Sequence, residues 1–209
     1  MGRNTQSSYL NISEEFKAFY WSPGKTGSVH AAAIFACLPF EFIECSYDRK
    51  SIYNFHEIAS HSHRMDLFEG HENYILICTA RNPIHRLFSS FVYVNRFKDE
   101  LNPKDFRPFL INCIDNNEFL WTGSIKNPPR EPDYYVRLEN LYDDYMKLPF
   151  MPTTKFASCG VLEELCGRKK NETKKFNITI QECYTDDMID YVYTEYRDYF
   201  DKLGYEPKL

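Results

Sequence analysis

The chain has 209 residues, of which 43% are hydrophobic and 26% are charged, and its formal net charge is −5. This length and composition exclude wholesale disorder and predict a single globular domain over residues 1–209. The negative charge argues against bulk attraction to nucleic acid or to an anionic membrane, so we expect neither as a partner.

The sequence carries no recognisable export signal. No apolar run approaches the length of a membrane span, and residues 1–10 lack the apolar core of a signal peptide. Seven cysteines, an odd number without a CxxC pair, indicate reduced thiols rather than a disulfide framework or a zinc site. We therefore expect a cytoplasmic protein. The oligomeric state has no signature in the sequence.

The first half of the chain predicts strands separated by a loop and a helix. Phe16–Trp21 is expected to form a buried strand, followed by the loop Ser22–Ser28 and a buried helix over Val29–Leu38. Glu41–Cys45 is a candidate second strand. Tyr74–Ala80 is almost continuously apolar, which is typical of a central strand in a parallel sheet.

The second half predicts helices around one further strand. Asn82 and Pro83 are typical of a helix start, and an apolar stripe follows at i, i+3, i+4 and i+7. The remaining predicted elements are a helix at 105–118, a short strand at Tyr134–Arg137, a helix at Glu139–Leu148 and a last helix at Thr185–Leu203. Strands alternating with helices predict an α/β fold, a three-layer sandwich with a central parallel sheet.

The loop Ser22–Ser28 is a candidate phosphate site because it lies between a predicted strand and a predicted helix. Backbone N–H groups of such a loop, together with the helix N-terminus, point towards an anion. Two glycines let the backbone approach closely, a lysine supplies a point charge and two hydroxyl side chains supply donors. These residues are Gly24, Gly27, Lys25, Thr26 and Ser28. A plain strand-to-helix turn is the alternative.

The run Gly24-Lys25-Thr26 also looks like the end of a nucleotide-triphosphate P-loop, which would make the chain a small nucleotide kinase. The glycine that begins that motif would fall at Phe19, within the first predicted strand. The kinase motif is therefore incomplete, and this function stays the alternative.

A second candidate phosphate site begins at Arg81, at the carboxyl end of the predicted central strand, where open parallel sheets bind ligands. Arg86, Ser89 and Tyr93 follow at i, i+3 and i+7, so we expect them on one helix face, opposite in character to the apolar stripe. An arginine near a serine can hold a phosphate through charge-assisted hydrogen bonds. The alternative is a solvated helix face with a structural ion pair.

Four segments in order resemble the PAPS-dependent sulfotransferases, where PAPS is 3'-phosphoadenosine 5'-phosphosulfate. Lys25-Thr26-Gly27-Ser28 is similar to the family's 5'-phosphosulfate-binding loop, and Arg81-Asn-Pro-Ile-His-Arg-Leu-Phe-Ser89 is similar to its 3'-phosphate-binding segment. Val136–Asp144 is similar to a later strand-then-helix segment, R-x-E-x-L-x-x-D, and Tyr193–Tyr205 is similar to the closing helix. The carbohydrate branch of the family is the best match.

The resemblance implies a P-loop-NTPase-like sulfotransferase fold. It also implies transfer of a sulfuryl group from PAPS to a hydroxyl or amine of an acceptor, with PAP as the product. A carbohydrate or a small molecule is the expected acceptor, and the chemistry requires no metal. A non-catalytic module that binds PAP is a further alternative.

The resemblance also implies roles for individual residues. Lys25 would stabilise the leaving phosphate, and the remaining loop residues Thr26, Gly27 and Ser28 would hold the 5'-phosphate. The 3'-phosphate would be held by Arg81 and Ser89, with Arg86 as a further candidate that either binds the phosphate or braces the helix.

The general base is expected to be a histidine or a carboxylate near the acceptor. His56 precedes the Arg81 segment at a place where carbohydrate members often show a histidine, and Glu44 follows the second predicted strand, where other members place a glutamate. His61 and His63 are further candidates. The histidine-rich stretch matches no standard metal-ligand spacing.

A run of basic residues near the end of the chain has three interpretations. It closes over the 3'-phosphate, attracts an acidic acceptor or forms a solvated loop. The lysines of this run are Lys169, Lys170, Lys174 and Lys175.

Overall fold

The computed structural model describes residues 9–23, 34, 37–42, 70–115, 130–167, 176 and 178–209. Its fold is α/β, with a five-stranded mixed sheet in the order β3-β1-β2-β4-β5. The strands are β1 (Tyr9–Ser13), β2 (Ala18–Ser22), β3 (Glu41–Phe42), β4 (Ile75–Ala80) and β5 (Tyr134–Arg137).

The helices whose bounds lie within the described ranges follow β4 and β5 along the chain. They are α1 (Pro83–Val94), α2 (Phe106–Asp115), α3 (Leu141–Met146), α4 (Lys155–Ser158), α5 (Val161–Gly167), α6 (Ile180–Cys183), α7 (Asp186–Glu195) and α8 (Arg197–Leu203). Short 3₁₀ turns span Pro103–Asp105, Leu138–Asn140 and Met151–Thr153. Within the described ranges, no helix combines the length and the apolar character that crossing a membrane requires.

The strands β2, β4 and β5 are parallel neighbours, with β4 between the other two. The last five residues of β4 are buried, as the sequence predicted for a central strand. β5 has the predicted bounds, whereas β2 begins and ends slightly later than predicted. Because these three strands run the same way, their carboxyl ends share one edge of the sheet.

The sheet is mixed, which corrects the prediction of a purely parallel one. β1 was not predicted; it pairs antiparallel with β2 across the turn Glu14–Lys17 and antiparallel with β3 on its other side. A tight turn can join only antiparallel strands, so the short connection itself sets this direction. Lys17 has φ 48° at the end of the turn.

The predicted second strand is represented by β3, which is described for Glu41–Phe42. Residues 43–45 of that prediction lie outside the described ranges. Of the predicted helix at Val29–Leu38, Ile34 is helical and fully buried, and Cys37 donates its backbone N–H to the carbonyl of Ile34 at 3.0 Å.

The chain divides into two compact units, the first made of residues 1–80 and 127–170. Its main core lies on one face of the sheet, where side chains from the strands meet side chains from α3 and α5. The residues that form this contact are Ala18, Tyr20, Ile77, Val136, Leu141, Tyr145 and Leu162. On the other face, Phe19, Tyr74 and Leu76 form a smaller buried cluster.

The second unit, residues 81–126 and 171–209, is helical in its described part. The apolar stripe predicted for α1 forms one side of its core, with Ile84, Leu87 and Phe91 almost completely buried. Residues of α2, α6, α7 and α8 supply the rest of this core, among them Phe106 and Phe200. That residues 1–209 form a single domain stays a prediction.

The helix predicted at Thr185–Leu203 is two helices, α7 and α8, separated at Tyr196. The backbone of Tyr196 has φ −118° and ψ 24°, outside the helical range, and its carbonyl accepts from the N–H groups of Tyr199 and Phe200. The buried side of the two helices continues across the break, because Val192, Tyr196 and Phe200 all lie in the core.

Two other predicted helices differ at their ends. The one predicted at Glu139–Leu148 begins as the 3₁₀ turn Leu138–Asn140 and continues as α3. The one predicted at 105–118 is preceded by the 3₁₀ turn Pro103–Asp105, and its described α-helical part is α2.

Candidate functional site

The segment after β4 begins a helix in the way its sequence predicted. β4 ends at Ala80, Arg81 is half-buried, and Asn82 caps α1. The Oδ1 atom of Asn82 accepts from the backbone N–H of Ile84 at 2.9 Å, and Pro83 occupies the first helical turn. The predicted order of strand, arginine, cap and helix is therefore confirmed.

The start of α1 has two further contacts inside the second unit. The amide Nδ2 of Asn82 donates to the carbonyl oxygen of Glu206 at 3.4 Å, beyond the end of α8. The hydroxyl of Tyr184 donates to the carbonyl oxygen of Ile84 at 3.0 Å. The first turn of α1 is thus tied to two later parts of the chain, which restricts its orientation.

Arg86 differs from its sequence-based expectation. It was expected on a polar face with Ser89 and Tyr93, yet it is 2% exposed, while Ser89 and Tyr93 are half-buried. The buried set on α1 therefore includes an arginine beside Leu87. Ionised side chains are rarely buried unless they are paired, so this position suits a bracing role at least as well as a ligand contact.

Many of the predicted site residues lie outside the described part of the chain. These are the loop residues Lys25, Thr26, Gly27 and Ser28, the candidate bases Glu44, His56, His61 and His63, and the lysines Lys169, Lys170, Lys174 and Lys175. The first two residues of the predicted loop are described: Ser22 is the last residue of β2, Pro23 follows it, and both are buried.

The position that a kinase P-loop would assign to its first glycine is held by Phe19, which lies inside β2. Its side chain is 0% exposed and packs with Tyr74 and Leu76. A strand residue with this packing is unlike the loop glycine that the Walker motif requires.

A buried hydroxyl pair at the carboxyl edge of the sheet was missed by the sequence interpretation. The side-chain oxygens of Ser22 and Thr79 are 2.7 Å apart, and the two residues are 0% and 1% exposed. Ser22 ends β2 and Thr79 is the penultimate residue of β4. The signal was available, because each is a polar residue inside an otherwise apolar strand.

The R-x-E-x-L-x-x-D segment forms a partly buried ion pair. Arg137, the last residue of β5, donates from Nε and Nη2 to the two carboxylate oxygens of Asp144 at 2.7 and 2.9 Å, and from its backbone N–H at 3.0 Å. Asn140 and Lys147 also donate to this carboxylate, at 3.1 and 2.9 Å. The segment therefore joins the end of β5 to α3.

The charge of Asp144 is stabilised by these contacts. Burial by itself would raise the pKa of this carboxyl, but hydrogen bonds from Arg137 and Lys147 outweigh it and lower the pKa to about 2. A carboxylate fixed in this way accepts no proton near neutral pH, so it serves to position Arg137 rather than to act as a general base.

Within the ranges that the structure describes, no three His, Cys, Asp or Glu side chains are grouped closely enough to hold a metal ion. The chain matches no family model, no curated protein and no solved structure. The family resemblance consequently depends on the four sequence segments and on the local structure of the described ones.

Proposed function

We propose that the chain is a sulfotransferase that moves a sulfuryl group from PAPS to a hydroxyl or amine of an acceptor, with a P-loop-like sulfotransferase fold. The observation that carries this proposal is the transition from β4 to α1. A buried parallel strand ends directly before a half-buried arginine and an asparagine-capped helix, as a 3'-phosphate-binding segment requires.

Arg81 is the residue we assign to the 3'-phosphate. It precedes the N-terminus of α1, where helix N–H groups and the helix dipole favour an anion. Ser89, half-buried on the same helix, is the second assigned donor. Arg86 is buried beneath this helix turn and is assigned to support rather than to direct contact.

Lys25 is the residue we assign to catalysis, on the strength of its loop sequence. In the proposed step the acceptor oxygen or nitrogen forms a bond to sulfur, the bond between sulfur and the bridging oxygen of the 5'-phosphate breaks, and PAP leaves with the bonding electrons. A cation at that oxygen contributes about 3–4 kcal/mol, by analogy with oxyanion-hole donors. The acceptor proton goes to a general base, with His56 and Glu44 as the candidates, and no metal is needed.

The direct test is calorimetric binding of PAP to the full chain, to Lys25→Ala and to Arg81→Ala. Each substitution removes a charge-assisted hydrogen bond, so we expect each to weaken the affinity for PAP roughly 10- to 100-fold. Lys155→Ala and Arg107→Ala are matched controls, because both side chains are exposed and lie on α4 and α2. Wild type without PAP affinity, or site variants that bind like the controls, would contradict the proposal.

Turnover separates the enzyme from the alternatives. Labelled PAPS with a panel of carbohydrate and small-molecule acceptors should yield labelled product with wild type and much less with Lys25→Ala. PAP binding without turnover on any acceptor would favour a non-catalytic module. Stabilisation by ATP or GTP without a response to PAP would favour the kinase.

A further inference from the structure

A hydrogen-bonded pair of hydroxyls, Ser22 and Thr79, lies at the edge of the sheet where β2 and β4 end. Packing of the core does not require this pair. Trp21 pairs with Cys78 in the parallel register of these strands, so the following residues, Ser22 and Thr79, stand side by side. Their side chains share the face of Tyr20 and Ile77, which belongs to the main core of the first unit.

An aliphatic pair would fill this space at least as well as two hydroxyls. Burying a hydroxyl is unfavourable unless it is hydrogen-bonded, and replacing two buried partners by apolar groups of the same shape is close to neutral. Ser22 and Thr79 satisfy each other at 2.7 Å with almost no solvent exposure. What the hydroxyls add is a directional link with a fixed length between two strand ends.

The buried polar character continues inward from this pair. Tyr20 lies two residues before Ser22 and is 0% exposed. Burial raises the pKa of Tyr20, and the nearby hydroxyls of Ser22 and Thr79 offset part of the rise. The pair is therefore part of a wider group of buried hydroxyls rather than an isolated contact.

Both strands lead directly into segments that the proposed function uses. Ser22 is followed by Pro23 and the loop that contains Lys25, and Thr79 is followed by Ala80 and Arg81. We propose that Ser22 and Thr79 are positioning residues that fix the starting points of the two nucleotide-binding segments. This inference rests on the proposed function and adds two residues to which it assigns an indirect, positioning role.

The physical reason is preorganisation. Binding is weakened when the groups that hold a ligand must first be ordered, and supporting hydrogen bonds reduce that cost. Loss of the link removes one constraint on the two strand ends, just beyond the last ladder pair of Trp21 and Cys78, while leaving Lys25 and Arg81 in the sequence.

The experiment compares the affinity for PAP of four variants with that of wild type. Thr79→Val removes the hydroxyl and keeps the shape, and Ser22→Ala removes its partner. Loss of one buried hydrogen bond corresponds to roughly a five- to tenfold weaker affinity if its effect is transmitted to the site. Thr79→Ser keeps the hydroxyl and should bind within about twofold of wild type.

The matched control is Ser13→Ala. Ser13 is 1% exposed, lies in β1 near the opposite end of β2, and accepts from the N–H of Phe16 at 3.2 Å. The change therefore deletes an equally buried serine hydroxyl from the same sheet. It should lower the melting temperature about as much as Ser22→Ala while leaving the affinity for PAP within about twofold of wild type.

The outcomes are distinguishable. If wild type binds PAP and both Thr79→Val and Ser22→Ala bind equally well, the positioning role is refuted and the proposed function stands. Equal weakening by Ser13→Ala also refutes it, because the effect would then be general destabilisation. Absence of PAP binding by wild type overturns the proposed function together with this inference. Should Thr79→Val fail to fold, Ser22→Ala decides.

Discussion

At the scale of single residues, Asp144 has the best-defined electrostatic role. The carboxylate is 3% exposed and is paired with Arg137, whose side chain is 27% exposed, and with the more exposed Lys147. A buried carboxylate with this many donors is stable only in its ionised form, because protonation would break the contact with Arg137. Its contribution to stability must therefore depend on pH.

We predict that Asp144→Asn removes an acid-sensitive part of the stability. The pKa of Asp144 is lowered from 3.8 to about 2, so the unfolded chain takes up this proton before the folded protein does. The contribution is complete above about pH 5, declines as the pH falls towards 2, and amounts to about 2 kcal/mol. The difference in free energy of unfolding between wild type and the variant, measured with urea at several pH values, should shrink over this range.

The neighbouring carboxylate provides the control for this measurement. Asp143 is exposed in the first turn of α3, so Asp143→Asn should change the free energy of unfolding by less than about 0.5 kcal/mol. A difference between wild type and Asp144→Asn that is constant from pH 7 to about pH 2 would show that the ion pair does not stabilise the fold.

At the scale of elements, Gly204 ends α8 in a conformation that favours glycine. Its φ of 66° and ψ of 32° are left-handed, and the N–H of Tyr205 donates back to the carbonyl of Phe200 at 3.0 Å. No atom of the described ranges lies within 4 Å of a Cβ atom added at Gly204, so the backbone conformation is what disfavours a side chain here. The sequence predicted this helix end correctly.

We predict that Gly204→Ala lowers the free energy of unfolding by about 1 kcal/mol, because alanine disfavours a left-handed backbone. Gly204→Asn should lower it less, since asparagine tolerates this conformation better. Gly167→Ala is the control: Gly167 is the last residue of α5, also has open space around it and has no left-handed φ, so alanine should be neutral or stabilising there. Urea unfolding of the three variants measures the differences, and equal losses at both glycines would contradict the explanation.

How well the sequence predicted each element depended on how much local information the element carries. The strands β4 and β5 and the start of α1 were predictable from neighbouring residues in the sequence. β4 is an apolar run, and α1 begins with a capping asparagine and a proline. β1 was not, because its five residues lie beside a polar N-terminus and its pairing with β2 and β3 is a tertiary contact. The break at Tyr196 was missed because the apolar stripe continues through it.

At the scale of the whole molecule, the candidate site was also predictable from the sequence only where its structure is local. Arg81 and its helix start were predictable because their sequence context is local. The burial of Arg86 was not predictable from the sequence. The spacing of residues along a helix shows which of them share a face, but not which other parts of the chain pack against that face. The link between Ser22 and Thr79 depends on the register of two strands that are 57 residues apart in the chain.

Each unit also contains buried thiols that report on the stability of its own core. Among the described residues, Cys78 is 3% exposed in β4, whereas Cys113 and Cys183, at 0% and 5%, belong to the helical core of the second unit. Cys37 and Cys159 are exposed. A reagent that reacts with thiolates therefore distinguishes surface thiols from those that require opening of a core.

We predict that pulsed alkylation at pH 7.5, followed by peptide mass mapping, labels Cys37 and Cys159 first among the cysteines of the described ranges. Burial raises the pKa of Cys183 to about 11, which lowers its thiolate population on the order of 100-fold before steric protection is counted. Cys78 and Cys113 should be slow because both are almost completely buried, and labelling in concentrated urea should remove the differences. If the two units open separately, Cys113 and Cys183 will share one protection factor and Cys78 will have another. Rapid labelling of Cys113 in native buffer would contradict the packing of the helical core.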